Sequence, residues 1–258
     1  MKAMVFAAGL GTRLRPLTDD RPKALVEIGG RTLVEITLTR LREFGIREVV
    51  INAHHLADKL IEYLEAHDNF GMRVNVSREE VLLDTGGGLK QAAHFLLAGA
   101  RYKSGSNSTT DPDARLKKPI VVHNVDVISR IDLARMAQAH TASGALATLA
   151  VQRRPTSRYL MFDEQLQLCG RRIGRNATAE IVRKSSHLEA LAFSGIHIIS
   201  PRLLPKLTEV GAFSIITSYL RLAAEGEKIL AFRADDYYWR DVGRLEDLKR
   251  AEHELAEL

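Results

Sequence analysis

The stretch MVFAAGLGTRLRP occupies residues 4–16 of the chain, and RPKALVE follows at residues 21–27. Its apolar beginning has the length and composition of a buried β-strand, which we predict over residues 2–8. The strand runs into a turn built on Gly9 and Gly11. Because glycine has no Cβ, the backbone N–H groups of such a turn can come close to a ligand. Together with the arginine and lysine residues that follow, these amides predict a loop that binds a polyphosphate.

Two better-known glycine loops do not fit this pattern. A dinucleotide-binding fingerprint reads G-x-G-x-x-G, but Leu14 stands where the third glycine is needed. A P-loop reads G-x-x-x-x-G-K-[ST] and requires glycine at position 14 and lysine at position 15. The chain has Leu14 and Arg15 there. The loop therefore belongs to a third kind of phosphate site.

The order of residues in and after this loop resembles a known family signature. Residues 9–18 read G-L-G-T-R-L-R-P-L-T and residues 22–25 read P-K-A-L. This is similar to the G-x-G-T-R-[LM]-x-P-L-T and P-K-[AP]-L motifs of the sugar-1-phosphate nucleotidylyltransferases. The resemblance implies a Rossmann-like nucleotidyltransferase fold and a reaction of a sugar 1-phosphate with an NTP, which gives an NDP-sugar and pyrophosphate. It also implies catalytic roles for Arg13 and Lys23, which neutralise phosphate charge. The residues of this region that we expect to bind the nucleotide are Ala8, Gly9, Gly11, Thr12, Arg13 and Lys23.

Two aspartates are the candidate metal ligands. Asp126 follows the apolar run at residues 120–125, a predicted central strand, and ligands of open α/β sheets gather at the carboxyl ends of strands. Asp241 lies in the sequence W-R-D-V-G at residues 239–243. Phosphoryl-type transfer needs charge neutralisation and usually Mg²⁺. The resemblance implies that Asp126 and Asp241 hold this ion and are catalytic, although the family usually has glycine where this chain has Val125. For either acid alone, a strand-end cap or a turn residue is the alternative.

A second glycine cluster, L-D-T-G-G-G-L, covers residues 83–89. We predict that it opens a helix over residues 88–97, so that amides at the helix N-terminus are free and a flat base can approach the backbone. The cluster resembles the turn with which the family recognises the base. The implied nucleotide-binding residues are Thr85, Gly86 and Gly87. The alternative is a flexible helix entry.

The acceptor sugar is expected at residues that match other family positions. The resemblance implies a pocket lined by Asn124, which ends the central strand, and by Ser194 and Gly195 in an F-S-G turn. Glu180 lies where some members place a carboxylate that holds sugar hydroxyls. These four residues form the predicted sugar-binding set.

Outside these motifs, short apolar strands alternate with amphipathic helices. This pattern predicts an α/β fold with a mostly parallel central sheet flanked by helices, and we expect one nucleotidyltransferase domain over residues 1–258. Two regions break the alternation. Residues 101–118 contain almost nothing to bury and are predicted to be an exposed loop. Residues 153–190 are short strand-like pieces, which we expect to form hairpins in a small sugar-binding subregion.

The composition limits the possible partners. The net charge of +5 suits an acidic ligand, but no basic run is interleaved with aromatic residues, so we expect no nucleic acid. No apolar stretch reaches the roughly 18 residues of a membrane span, and the first residues do not resemble a signal peptide. We therefore expect a cytoplasmic protein without a membrane partner. The single cysteine, Cys169, excludes an internal disulfide.

The resemblance leaves the substrates open. The compact length, the 85–88 turn and the 193–195 strand look most like N-acetylmuramate-1-phosphate uridylyltransferases. Mannose- and heptose-1-phosphate guanylyltransferases share nearly the same motifs, so the NTP is expected to be UTP or GTP. A choline-phosphate cytidylyltransferase is another alternative, in which Tyr159, Phe162 and Trp239 would enclose a quaternary ammonium group. A regulatory module that binds an NDP-sugar without turnover is the non-enzymatic alternative. The sequence gives no indication of the oligomeric state.

Overall fold

The structure is a computed structural model that describes residues 1–98, 118–174 and 177–256. Its strands are β1 (Lys2–Phe6), β2 (Glu27–Ile28), β3 (Arg31–Thr32), β4 (Glu48–Ala53), β5 (Arg73–Arg78), β6 (Ile120–Asn124), β7 (Val127–Ser129), β8 (Ala147–Gln152), β9 (Arg158–Phe162), β10 (Leu168–Ile173), β11 (Glu180–Ile181), β12 (Glu189–Ile199), β13 (Ile229–Arg233) and β14 (Trp239–Asp241). Its α-helices are α1 (Leu33–Glu43), α2 (Ala57–Ala66), α3 (Asp84–Leu97), α4 (Leu133–Ser143), α5 (Ile215–Ala224) and α6 (Leu245–Ala256).

Ten of these strands form one sheet that runs in the order β11-β10-β9-β12-β6-β1-β4-β5, and β8 joins β12 to β13. The segment β6-β1-β4-β5 is parallel throughout, whereas β12 is antiparallel to its neighbours β6, β8 and β9. Helices cover both faces of the sheet, because α1, α2, α4 and α6 contribute to one apolar core and α3 and α5 to the other. The predicted α/β class, with helices flanking a mostly parallel central sheet, is confirmed. No helix in the described part of the chain is long and apolar enough to cross a membrane.

The register of the parallel strands brings two site loops together. In the pairing of β1 with β6, Phe6 lies opposite Asn124, and the amide of Val125 donates to the carbonyl of Phe6 at 3.0 Å. Both strands are mostly apolar and largely buried, as expected for strands that are covered on both faces. The glycine loop after β1 and Asp126 after β6 therefore leave the same edge of the sheet.

A short two-stranded ribbon brings the second aspartate to this edge. Strand β14 pairs antiparallel with β7, and this pairing places Asp241 opposite Val127. The amide of Val242 then donates to the backbone carbonyl of Asp126 at 2.9 Å. Two acids that are 115 positions apart in the sequence therefore become neighbours.

The structure differs from the sequence predictions at several boundaries. Helix α3 begins at Asp84 instead of Gly88, so the three glycines lie within its first two turns. Strand β1 ends at Phe6, two residues earlier than predicted. Hairpins between residues 153 and 190 are present as β9, β10 and β11. The loop predicted over residues 101–118 lies outside the described residues except for its last position.

Candidate active site

The glycine loop is shaped by contacts that a larger residue would prevent. Gly11 has φ +66°, and a Cβ built on it would lie 2.8 Å from Cγ2 of Thr18 and 3.2 Å from Cβ of Lys23. The hydroxyl of Thr18 donates to the carbonyl of Gly11 at 2.8 Å. At the beginning of the loop, the amide of Ala7 donates to Oδ1 of Asn52 at 2.8 Å. The loop is therefore folded back so that Lys23 lies against it.

Four charged side chains meet beside Gly243. Lys23 forms an ion pair with Asp126, and the amide of Gly243 donates to Oδ1 of Asp241 at 2.7 Å. A Cβ built on Gly243 would lie 2.8 Å from Nη2 of Arg13, 2.8 Å from Oδ1 of Asp241 and 3.4 Å from Nζ of Lys23. All four residues predicted to be catalytic are thus within reach of a common point.

The two carboxylates act on each other electrostatically. Burial raises the pKa of Asp241, and the negative charge of Asp126 raises it further, while Lys23 and Arg13 act in the opposite direction. A bound cation would relieve this repulsion. The described residues contain no group of three or more His, Cys, Asp or Glu side chains arranged to hold a metal. Two carboxylates completed by phosphate oxygens and water are nevertheless a usual arrangement for Mg²⁺, so the donor set fits this ion.

Two adjoining cavities flank the charged cluster. The smaller has a volume of about 380 Å³ and includes six of the predicted residues in its lining: Ala8, Gly9, Lys23, Thr85, Asn124 and Asp126. The larger has a volume of about 810 Å³ and includes six: Arg13, Thr85, Asn124, Ser194, Gly195 and Asp241. Phe6, Asp84, Thr85 and Asn124 line both cavities. The predicted nucleotide side and the predicted sugar side are thus adjacent, with the acids where they meet.

Five predicted residues lie outside these linings, and one of them is Gly11, which shapes the glycine loop. Thr12 is exposed, and Glu180 accepts a hydrogen bond from Nε of Arg171 at 2.7 Å. Gly86 and Gly87 are buried, and the amide of Gly86 donates to the carbonyl of Phe213 at 2.8 Å. Their amides are therefore not the free groups that the sequence suggested. A Cβ on Gly86 would lie 2.3 Å from the ring of Phe213, so glycine here permits close packing.

Sequence reasoning missed two polar residues of the smaller cavity. Asn52 is the second-to-last residue of β4 and donates through Nδ2 to Glu79 at 2.6 Å, while Glu79 also accepts from the amide of Leu83 at 3.0 Å. This network connects the glycine loop to the beginning of α3, since Asn52 also receives the amide of Ala7. The position of Asn52 at the carboxyl end of a central strand was an available signal.

Arg154 is a further missed residue, and it lines the larger cavity. Its guanidinium lies 3.7 Å above the Trp239 ring, and Nη2 donates to the carbonyl of Phe193 at 2.8 Å. Its buried Nε has no hydrogen-bond partner among the described residues. Burial lowers the pKa of Arg154, and the charge of Asp241 opposes this shift. A fixed cation therefore lies on the acceptor side of the acids.

The aromatic residues considered for a choline cage are not available as a set. Phe162 is fully buried in the core. Trp239 has Arg154 over one face, and the guanidinium of Arg172 lies 5.0 Å from the centre of the Tyr159 ring. A quaternary ammonium group would have to compete with these cations, so the geometry does not favour a choline-phosphate cytidylyltransferase.

A family model described as "Nucleotidyl transferase" matches residues 2–257. The chain belongs to the nucleotidyl transferase family. The resemblance of the glycine loop to the sugar-1-phosphate nucleotidylyltransferases is confirmed, and this member is therefore an enzyme of that class.

Known proteins similar to this nucleotidyltransferase differ in substrate. It is 30% identical to the N-acetylmuramate alpha-1-phosphate uridylyltransferase of Caulobacter vibrioides, over 99% of this chain and 97% of that protein. It is 28% identical to the mannose-1-phosphate guanyltransferase of Pichia angusta, over 96% of this chain but only 62% of that protein. Among solved structures, HddC from Yersinia pseudotuberculosis complexed with GMP-PN has a TM-score of 0.72 at 20% identity, covering 98% of this chain and 99% of that one. At that identity the likeness concerns the fold alone.

Proposed function

We propose that this chain transfers a uridylyl group from UTP to N-acetylmuramate 1-phosphate. An oxygen of the acceptor phosphate forms a bond to the α-phosphorus of UTP, and the bond from that phosphorus to the bridging oxygen of the β-phosphate breaks. The bridging oxygen leaves with pyrophosphate. The observation that carries the proposal is that Arg13, Lys23 and Asp241 approach one point at Gly243, where Lys23 also pairs with Asp126, and that two cavities adjoin this cluster.

The choice of acceptor and base is supported by the 30% identity to the uridylyltransferase of Caulobacter vibrioides, over 99% of this chain. The uridylyltransferase of Caulobacter vibrioides aligns over nearly its whole length, whereas the guanyltransferase of Pichia angusta has more than a third of its length outside the match. The similarity to the uridylyltransferase extends over nearly the whole alignment and does not depend on a single motif.

The roles of the residues follow from the charges that the reaction moves. Negative charge develops on the departing pyrophosphate, and we assign its stabilisation to Arg13 and Lys23, because positively charged side chains stabilise the charge that develops on a leaving phosphate group. Mg²⁺, held by Asp126 and Asp241, supplies further neutralisation of the triphosphate when it is bound. Arg154 is assigned to the acceptor phosphate, because its guanidinium is stacked on Trp239 and lines the cavity that we assign to the sugar.

The two cavities divide the substrates in this proposal. The smaller, with Ala8, Gly9 and Thr85 in its lining, takes the nucleotide. The larger, with Asn124, Ser194 and Gly195 in its lining, takes the sugar. The hydroxyl of Ser194 is buried and has no partner among the described residues, so it is available to a sugar substituent. Gly86 and Gly87 contribute by fixing α3, and Gly11 and Thr12 by shaping the loop.

Pyrophosphate release from a panel of substrates tests the proposal. UTP, GTP, CTP and dTTP are each combined with N-acetylmuramate 1-phosphate, mannose 1-phosphate, glucose 1-phosphate and phosphocholine in the presence of Mg²⁺. The proposal expects the highest kcat/KM for UTP with N-acetylmuramate 1-phosphate. A preference for GTP with mannose 1-phosphate contradicts the proposed substrates. Tight binding of an NDP-sugar without turnover of any pair contradicts the assignment of catalysis.

A further inference from the structure

The part of the larger cavity that is lined by residues 154–216 is positively charged. Its lining between residues 154 and 216 includes three arginines, Arg154, Arg158 and Arg171, and no aspartate or glutamate among the described residues. A neutral sugar offers only hydroxyl groups, and carboxylates are good acceptors for them. A lining of arginines without acids instead suits an acceptor that carries negative charge.

Two of these arginines share one face of the sheet. In the antiparallel pairing of β9 with β10, Arg158 lies opposite Ile173, and Arg171 lies two residues before Ile173. Opposite residues and residues two apart share a face of the sheet, and Ile173 lines the same cavity. Such diagonal neighbours lie about 7–8 Å apart. Two long side chains at that separation can therefore bind a single small anion.

This pair of arginines lies away from the end of the cavity where Asn124 and Gly195 meet. In the pairing of β9 with β12, Tyr159 lies opposite Ala192, three residues along β12 from Gly195. Gly195 adjoins Asn124, since a Cβ on Gly195 would lie 2.8 Å from Nδ2 of Asn124. With a rise of about 3.3 Å per residue and a strand spacing of about 4.8 Å, the β9 backbone lies about 10 Å from that position. A group bound there belongs to the far side of the sugar ring.

The guanidinium groups of this pair remain able to bind a ligand. Arg171 donates through Nε to Glu180 at 2.7 Å, and this contact orients the side chain without engaging its terminal nitrogens. The Arg158 side chain forms no ion pair with any described residue. Paired guanidinium groups recognise carboxylates through charge-assisted hydrogen bonds. Glu180 thus orients the side chain of Arg171.

We infer that Arg158 and Arg171 bind a carboxylate on the acceptor sugar and make the enzyme specific for acidic sugar 1-phosphates. The inference rests on the proposed function in taking a sugar 1-phosphate as the acceptor, and it deepens that proposal by naming the residues that select it. A carboxylate of this kind has two sources, a lactyl ether on the ring, as in N-acetylmuramate, or an oxidised C6, as in a uronic acid.

The experiment compares matched acceptors with wild-type enzyme and with the double variant Arg158→Gln/Arg171→Gln. N-acetylmuramate 1-phosphate is compared with N-acetylglucosamine 1-phosphate, which lacks only the lactyl group, and glucuronic acid 1-phosphate with glucose 1-phosphate. The wild-type kcat/KM is expected to be about 10-fold or more higher for the carboxylated member of one pair. The variant is expected to lose about 10- to 100-fold on that acceptor, as for charged hydrogen bonds, and less than about 2-fold on its neutral partner.

Two further variants keep the test decisive. Arg153→Gln removes an exposed arginine that pairs with Glu189 and does not line the cavity. This control variant should leave kcat/KM for both acceptors of each pair unchanged. Arg158→Lys/Arg171→Lys retains the charges and should have intermediate selectivity, which covers the case in which the glutamine pair does not fold. The melting temperature of each variant is measured alongside.

The outcomes separate this inference from the proposed function. Equal losses on both members of a pair, or a wild-type enzyme without preference for the carboxylated member, overturn the inference while uridylyl transfer to N-acetylmuramate 1-phosphate can still stand. Selective use of glucuronic acid 1-phosphate that the variant abolishes overturns the proposed acceptor and supports the inference. Use of neutral hexose 1-phosphates alone overturns both.

Discussion

Replacing Gly243 by alanine should reduce turnover while the fold is retained. The φ angle of Gly243 lies outside the left-handed region, so the backbone accepts alanine. The new methyl group would lie 2.8 Å from Nη2 of Arg13 and from Oδ1 of Asp241, whereas ordinary contacts begin at 3.4 Å. Each of these charged groups must therefore move by about 0.6 Å, the difference between those two distances.

The magnitude follows from how firmly each group is held. Arg13 is exposed and can rotate away, so the loss of stability should be near the lower end for overpacking, about 1 kcal/mol. Asp241 is fixed by the Gly243 amide at 2.7 Å and cannot yield without losing that hydrogen bond. Misplacement of a catalytic group by about 1 Å can reduce the rate by 100-fold, so we expect kcat to fall by about 10- to 100-fold.

The assay combines pyrophosphate release with urea unfolding of the same preparations. The expected result is a large loss in kcat with a small change in the free energy of unfolding. A variant with wild-type kcat and wild-type stability would refute the reasoning, because it would mean that Arg13 and Asp241 do not approach each other at Gly243.

Three other predictions use the same measurements. Gly9→Ala introduces a methyl group with no atom within 4 Å, so the free energy of unfolding should not change. If the triphosphate lies on this loop, the methyl group should raise KM for the NTP at least about 10-fold. An unchanged KM would contradict that placement. Gly86→Ala drives a Cβ into the ring of Phe213 and should destabilise the fold by about 3 kcal/mol, as overpacking does; wild-type stability would show that α3 is not packed there. Burial lowers the pKa of His140 to about 4, below its ordinary 6.5, so the unfolded chain binds a proton first and stability is lost as the pH falls from 6.5 to about 4. His140→Gln should remove up to about 3 kcal/mol of that pH dependence. The free energy of unfolding is measured by urea titration at several pH values, and the same dependence on pH in the variant and the wild type would be the contrary result.

The parts of the site that the sequence predicted are those carried by short local motifs. Gly9, Gly11 and the two aspartates are each recognisable from a few neighbouring residues, and the fold brings these segments to one edge of the sheet. The ribbon of β7 with β14, which makes Asp126 and Asp241 neighbours, was not predicted. Strands of three residues are too short to have a periodic pattern.

The residues that were missed depend on long-range packing. Arg154 meets Trp239 although 85 positions separate them in the sequence, and no local pattern marks either residue as the partner of the other. The beginning of α3 was misplaced for a related reason. Glycine has a low intrinsic helix propensity, which favoured a start at Gly88. Close packing against Phe213, Gly211 and Glu79 nevertheless leaves room only for glycine at these three positions of the helix.

The most direct test of this account is the rate of nucleotide-sugar formation by Asp126→Asn, Asp241→Asn and the double variant, measured with saturating Mg²⁺ by separation of the products. If both carboxylates serve one ion, each single change should lower kcat at least about 100-fold, and the double variant should be little worse than the more damaged single variant, since residues that act as a unit are not additive. Near wild-type rates in either single variant, with the fold intact, would contradict it.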